Sequence, residues 1–367
     1  MRRLAAAALV SLALPAVAAS GVHAQDAGAV TAPAEIASDC SVDVTDALNR
    51  WIASVPDERT LELASGGCYR IDGTVRITDR AGLVLDGRGA TLRAGTEGDQ
   101  ARRHLSITGG RALTVRSLTI RGSMPNSRLG PEDYREDRAF QHGIELRSVT
   151  GATVEDVQVL DVFGDFVYVG RVPDGQPSRD VTVSSSRFVD AGRQGISVTA
   201  GERVTIRDNE VRGVALAMFD LEPNAPSDFA RSIRIEGNTT GRAAGFWLSA
   251  PGTGEVRDVT VAGNVLRNAP AGLFWVIGTP EQRVRGVAVE DNELRVGDAV
   301  YASTPIAALF FTNCDNVVVA HNRGRFRTTT PVGVVEVRDC ANVTVDGNVI
   351  EGAGAALADT TGTPVPR

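Results

Sequence analysis

Asp220 and Glu222 stand two residues apart in Phe219-Asp-Leu-Glu-Pro-Asn224, beside apolar residues that alternate with them. Residues two apart on a β-strand share a face, with Cα atoms roughly 7 Å apart. Two carboxyls so placed suit acid-assisted glycoside cleavage, one as protonated donor and the other as base or nucleophile. Joined by Asp165, they suit calcium instead, which would neutralise a uronate carboxylate and acidify its C5 proton for β-elimination, with Arg193, Arg147, Arg171 or His142 nearby. A third reading is a structural ion-pair network around Arg193. The catalytic candidates are therefore Asp220, Glu222, Asp165, Arg193 and His142, and any metal requirement stays open.

These residues can act together only if the chain stacks them, and an internal repeat supplies the stacking. Val204-Thr-Ile-Arg-Asp-Asn209, Ile233-Arg-Ile-Glu-Gly-Asn238, Val259-Thr-Val-Ala-Gly-Asn264 and Val287-Ala-Val-Glu-Asp-Asn292 align, followed by Val317 to Asn322 and Val343 to Asn348. The asparagines recur at intervals of 29, 26, 28, 30 and 26 residues, a period that means a solenoid. A second apolar alternation precedes each V-x-V unit, as in Gly195-Ile-Ser-Val198 and Gly245-Phe-Trp-Leu248. A leucine-rich repeat also places Asn after an alternating strand, but its return segment is a helix or loose turn, whereas this return reads as strand. The expectation is an all-β chain, a single-stranded right-handed parallel β-helix of roughly 10–11 coils, with the asparagines bonded to one another at an inner bend. Thr45 to Val55 reads as an amphipathic capping helix with Thr45 as N-cap.

Strand geometry then orders the outward residues. With Ile144, Val167, Ile196, Phe219, Phe246, Leu273, Leu309 and Val335 inward, the next residue of each coil forms an outward column: Glu145, Tyr168, Ser197, Asp220, Trp247, Phe274, Phe310, Glu336. A second column holds Arg147, Gly170, Thr199, Glu222 and Ser249, while His142, Asp165 and Gln194 begin the same strands. Exposed aromatics in consecutive coils mark a binding face. The substrate-binding candidates are Tyr168, Gln194, Arg147, Trp247, Phe274 and Phe310. The insertion Gly122 to Gln141 leads into His142 and is expected to overhang the acidic end of this groove.

The remaining features bound compartment and partners. Arg2 and Arg3 precede an apolar run to Ala19 and the small residues before Ala24, the pattern of a secretory signal peptide spanning 1–24. Its removal leaves 36 basic against 45 acidic residues, a formal charge of −9, which disfavours nucleic acid and membrane surfaces. No later stretch approaches the roughly 20 apolar residues of a membrane span. Every cation is an arginine, so lysine chemistry is excluded. Cys40 with Cys68, and Cys314 with Cys340, suggest two disulfides in an exported chain, the second pair having unbridged stacked thiols as its alternative. The organisation expected is a linker over 25–39, one β-helix domain over 40–352 and a disordered tail over 353–367. A soluble, secreted monomer, periplasmic or extracellular, follows.

The opening module, Asp46 to Trp51 through Leu61-Glu-Leu63, Gly66-Gly-Cys-Tyr-Arg-Ile71 and Leu83-Val-Leu-Asp-Gly-Arg-Gly-Ala-Thr-Leu92, resembles the start of the pectin-lyase-like superfamily. The resemblance implies secreted bacterial β-helix architecture and a polysaccharide or oligosaccharide partner. It does not carry a reaction over: polygalacturonases have paired aspartates, Gly-His-Gly and Arg-x-Lys, where this chain has Gly192-Arg-Gln-Gly195 and no lysine. Lyase or hydrolase action on a glycan, non-catalytic carbohydrate binding or adhesion, and a structural solenoid are the three functions left open.

Overall fold

A computed structural model describes residues 28–125, 133–243, 245–251, 253–269, 273–296, 309–326, 335–351 and 357–359. Among these, parallel strands build three sheets of 12, 12 and 11 strands, slightly more coils than the repeat count suggests. A typical coil runs through Thr150–Glu155 in sheet 1, Gln158–Val162 in sheet 2 and Val167–Gly170 in sheet 3. All three sides are strands, which excludes the leucine-rich alternative. The chain is a parallel β-helix. The signal-peptide segment lies outside the described residues.

The bend from sheet 1 to sheet 2 explains the repeat's Asp-Asn and Gly-Asn pairs. The residue before each ladder asparagine has left-handed φ: Asp208 (57°), Gly237 (63°), Gly263 (63°), Asp291 (56°), His321 (54°) and Gly347 (59°). Glycine reaches this region without a Cβ clash, and aspartate tolerates it better than most residues. The turn aims the next side chain, the asparagine, into the interior. Asn264 Oδ1 accepts the backbone N–H of Asn238 at 2.9 Å and its Nδ2–H at 3.0 Å. Asn264 Nδ2 donates in turn to Asn292 Oδ1 at 2.9 Å and to the Ile235 carbonyl at 2.8 Å. The same pattern runs from Asn209 to Asn348, and upstream Ser186 continues it by giving its N–H to Asn209 Oδ1. No polar group of the bend is left for water that cannot reach it.

The core is one continuous apolar column, and its N-terminal end is plugged by α1 (Thr45–Ser54), whose Leu48, Trp51 and Ile52 are buried. The N-cap is Val44 rather than Thr45, because Asp43 Oδ1 one residue earlier accepts both the Thr45 N–H (3.0 Å) and its Oγ1–H (2.6 Å). Both disulfides form, Cys40–Cys68 and Cys314–Cys340, each tying adjacent coils. Two expected boundaries move. Val30–Thr31 pairs with Thr60–Glu62, so 25–39 is not merely a linker. Leu357–Asp359 pairs with Val335–Arg338, so the tail expected from 353 still contributes a strand. In both places the added strand covers backbone groups that an open edge would expose.

Replacing Asn264 by Ala strands the donors and acceptors of two neighbours and should lower unfolding stability by about 3 kcal/mol. Asn348→Ala, at the half-exposed end of the ladder, should cost less than half of that. Urea denaturation followed by circular dichroism measures both.

Candidate functional site

Sheet 3 carries the site, and its register decides which side chains share a face. Ile144, Val167, Ile196 and Phe219 stack inward as expected, but Phe219 pairs with Leu248, Leu248 with Phe274 and Phe274 with Leu309. The outward column is therefore Glu145, Tyr168, Ser197, Asp220, Ser249, Trp275, Phe310, Glu336. Trp247 and Phe274 are not substrate-facing. Both are core residues, 0% and 1% exposed, and the Trp247 indole donates to Thr240 Oγ1. Phe310 does face outward, but only 8% of it is accessible and the Arg338 guanidinium lies 5.0 Å from its ring centroid. The aromatic surface that sequence reasoning missed is Phe246 with Trp275, half-exposed and stacked at 4.9 Å. The missed signal is a count: Phe219, Leu248 and Phe274 each lie ten positions after a ladder asparagine, whereas aligning the coils on their glycines shifts two of them.

The five catalytic candidates do come together. Asp165 begins its strand at the corner between sheets 2 and 3 and is fully buried. Its Oδ1 accepts the Gln194 N–H at 3.1 Å, and its two oxygens accept Arg193 Nη1 at 3.0 and 2.8 Å. The other arm of Arg193 reaches Glu222 Oε2 at 3.4 Å. His142 Nδ1 accepts the Asp165 N–H at 3.0 Å, so its proton sits on Nε2. Gln194 Oε1 takes the Ala217 N–H, which makes His142, Asp165 and Gln194 a second ladder, each holding the backbone of the next coil. Tyr168 stacks on His142 at 4.8 Å and accepts the Thr199 hydroxyl. Arg147 stands apart: it donates to the Arg171 carbonyl and lies 3.9 Å from Glu145, not beside the acids.

Asp220 is the anomalous group. It is 1% exposed, and no N–H or hydroxyl of the described residues donates to either of its oxygens. Its carboxylate neighbour is Glu222, two residues further along the chain. Burial raises its pKa well above the ordinary carboxyl value, the charge of Glu222 raises it further, and Arg193 opposes both. Arg193 is held strongly protonated, chiefly by Asp165. Beside it, Ser197 is fully buried with its hydroxyl unpartnered among the described residues.

The calcium arrangement does not form. The cation between Asp165 and Glu222 is the Arg193 guanidinium, and among the described residues no cluster of three metal-ligating side chains is placed to hold an ion. The described part of the insertion does cover this corner. The Gln141 amide donates to the Glu97 and Asp99 carbonyls and its Oε1 accepts Arg102, while Arg135 lies over Phe163, two residues before Asp165. Residues 126–132 lie outside the described residues.

No family model matches the sequence, and no curated protein matches it. Solved structures do. The fold is similar to endo-xylogalacturonan hydrolase from Aspergillus tubingensis (TM-score 0.68, 14% identity, covering 90% of this chain and 95% of that one). It is also similar to the Streptococcus pneumoniae surface protein and adhesin PfbA (TM-score 0.64, 13% identity, 90% and 100%) and to the A-module of Azotobacter vinelandii mannuronan C-5 epimerase AlgE4 (TM-score 0.51, 13% identity, 88% and 97%). This chain shares the parallel β-helix fold of these structures. Among the described residues no helix is long and apolar enough to cross a membrane.

Opposite pH trends follow from the buried groups. Burial lowers His142 to about 4 and His104 to about 3, so the stability they contribute is complete above the ordinary histidine value and is lost as pH falls from there toward those values. Asp220 is raised, so it binds its proton more tightly when folded, and stability should decline as pH rises from the ordinary carboxyl value toward its folded one. Thermal unfolding against pH should show both limbs. Asp220→Asn should shrink the second, to which the raised Asp161 and Asp190 also contribute, while leaving the first.

Proposed function

We propose that this chain is an exported protein that hydrolyses an extended polysaccharide lying along the outward face of sheet 3. The observation that carries the reading is Asp220, a buried carboxyl whose pKa burial and Glu222 raise, in the outward row that holds the half-exposed Trp275. A carboxyl whose pKa is raised holds its proton more readily for a leaving glycosidic oxygen. Asp220 gives its proton to the glycosidic oxygen as the C–O bond breaks, a water adds to the anomeric carbon and returns one of its protons to the Asp220–Glu222 pair, and Arg193 balances the negative charge held there in between. Arg193 is already engaged by Asp165 and Glu222, so the arrangement favours acid-assisted hydrolysis over β-elimination, which would need that cation on a substrate carboxylate. Asp165, His142 and Gln194 position rather than react, because their polar atoms hold backbone of neighbouring coils. Phe246 and Trp275, on coils next to and beyond that of Asp220, offer a flat apolar surface to a sugar ring.

Export rests on the N-terminal segment together with the two disulfides. The glycan reading agrees with the activities of structural neighbours, which include a xylogalacturonan hydrolase and a mannuronan epimerase. Glycan binding without turnover is the competing reading, and the 1% exposure of Asp220 favours it.

Release of reducing ends from a panel of neutral and acidic polysaccharides separates the two. On the substrate that is cleaved, Asp220→Asn should lose at least roughly a hundredfold in kcat, and Trp275→Ala should raise KM more than it lowers kcat. Unsaturated products absorbing in the ultraviolet, or an Asp220→Asn variant within a few-fold of wild type, would overturn the hydrolytic assignment.

A further inference from the structure

Sheet 2 faces away from the Asp220 site, and one of its outward positions is occupied by arginine again and again. Arg70 pairs with Arg93 and Arg93 with Arg121, on three consecutive coils. Toward the other end Arg267 pairs with Arg295 and Arg295 with Arg325, again on consecutive coils. Neighbouring coils are about 4.8 Å apart, and like charges directly opposite one another on adjacent strands are destabilising. Sheet 1 also stacks arginine, Arg231 with Arg257 and Arg257 with Arg285, but there each has an acid within reach, Glu255 for Arg231 and Arg257 and Asp315 for Arg285, so what sets sheet 2 apart is arginine left without one. The stacking does not follow from composition, since the chain carries a net charge of −7.

Acids only partly compensate. Arg70 pairs with Asp72 at 2.7 Å, Arg121 with Asp161 at 3.4 Å and Arg325 with Glu351 at 3.8 Å, and Arg295 pairs with Glu293. Arg93 and Arg267 have no acidic partner among the described residues. The side chains of Arg121, Arg295 and Arg325 are 51%, 62% and 69% exposed, so the guanidinium groups are open to a ligand. A cavity of about 230 Å³, lined by Cys40, Arg70, Arg93 and Gly95, opens within the first run.

We propose that the outer face of sheet 2 binds a linear anionic polysaccharide, lying parallel to the helix axis, with one carboxylate or sulfate per sugar. A guanidinium presents a planar fork that matches a carboxylate or sulfate, and a row of forks at coil spacing meets a polymer whose charges recur at about the length of one extended sugar residue. A nucleic acid fits less well. Single strands bind through aromatic platforms as well as cations, and neither outward column of sheet 2 carries an aromatic residue. The inference does not depend on turnover at Asp220, because the two faces use different sheets.

The test titrates the full chain, and its Asp220→Asn variant, with a polygalacturonate oligomer, a heparin-derived oligomer, a neutral dextran of equal length and poly(dT). Both proteins should bind at least one anionic glycan, with affinity falling steeply as salt rises, and should ignore dextran. Arg93→Gln combined with Arg267→Gln, which strands no acid, should weaken that binding at least about tenfold, and the matching Arg→Lys pair should keep most of it. Circular dichroism on each variant checks that the fold is retained. Unchanged glycan affinity in the folded Gln variant, binding of dextran as tight as that of the anionic oligomers, or tighter binding of poly(dT), would overturn the proposal. Loss of activity in Asp220→Asn with glycan binding intact bears on hydrolysis alone.

Discussion

Everything in this molecule is referred to one buried bend, where a left-handed residue turns the chain and the following asparagine enters the interior. Each asparagine must satisfy two donors and an acceptor where no water reaches, and it does so chiefly through the coil above and the coil below. The hydrogen bonds therefore do more than stabilise. They fix the height of each coil on its neighbour, and so the register of all three sheets.

The site inherits that register. Ten residues after Asn209 comes Phe219, an inward residue, which leaves Asp220 and Glu222 outward on the same strand. On the three preceding coils, the side chains of His142, Asp165 and Gln194 in turn hold backbone at the corner between sheets 2 and 3, a second ladder built from different chemistry. Arg193 is the link between that ladder and the acids, bonded to Asp165 on one side and Glu222 on the other. A structural corner and a reactive pair are thus joined by a single guanidinium, which is why Arg193 cannot be assigned to either role alone.

The repeat, both disulfides, the capping helix and the clustering of the acids with Arg193 could all be read from the sequence, because each depends on short spacings or on residue types that recur. The aromatic face could not be read by aligning Gly195, Gly245 and Gly272, since these glycines do not hold a constant place relative to the strands that follow. Counting from the asparagine, the residue that is physically anchored, recovers Leu248 and Phe274 as inward and moves the surface aromatics to Phe246 and Trp275. The raised pKa of Asp220 had no local signal. It arises because side chains from several coils exclude water from an outward position, and strand alternation alone would leave that position exposed.

The central claim is that this placement keeps an outward carboxyl neutral. Infrared difference spectroscopy between wild type and Asp220→Asn near neutral pH tests it most directly. A protonated carboxylic acid carbonyl band present in wild type and missing from the variant is the predicted result. A difference spectrum with only carboxylate bands would mean that Asp220 is ionised, and would contradict the account.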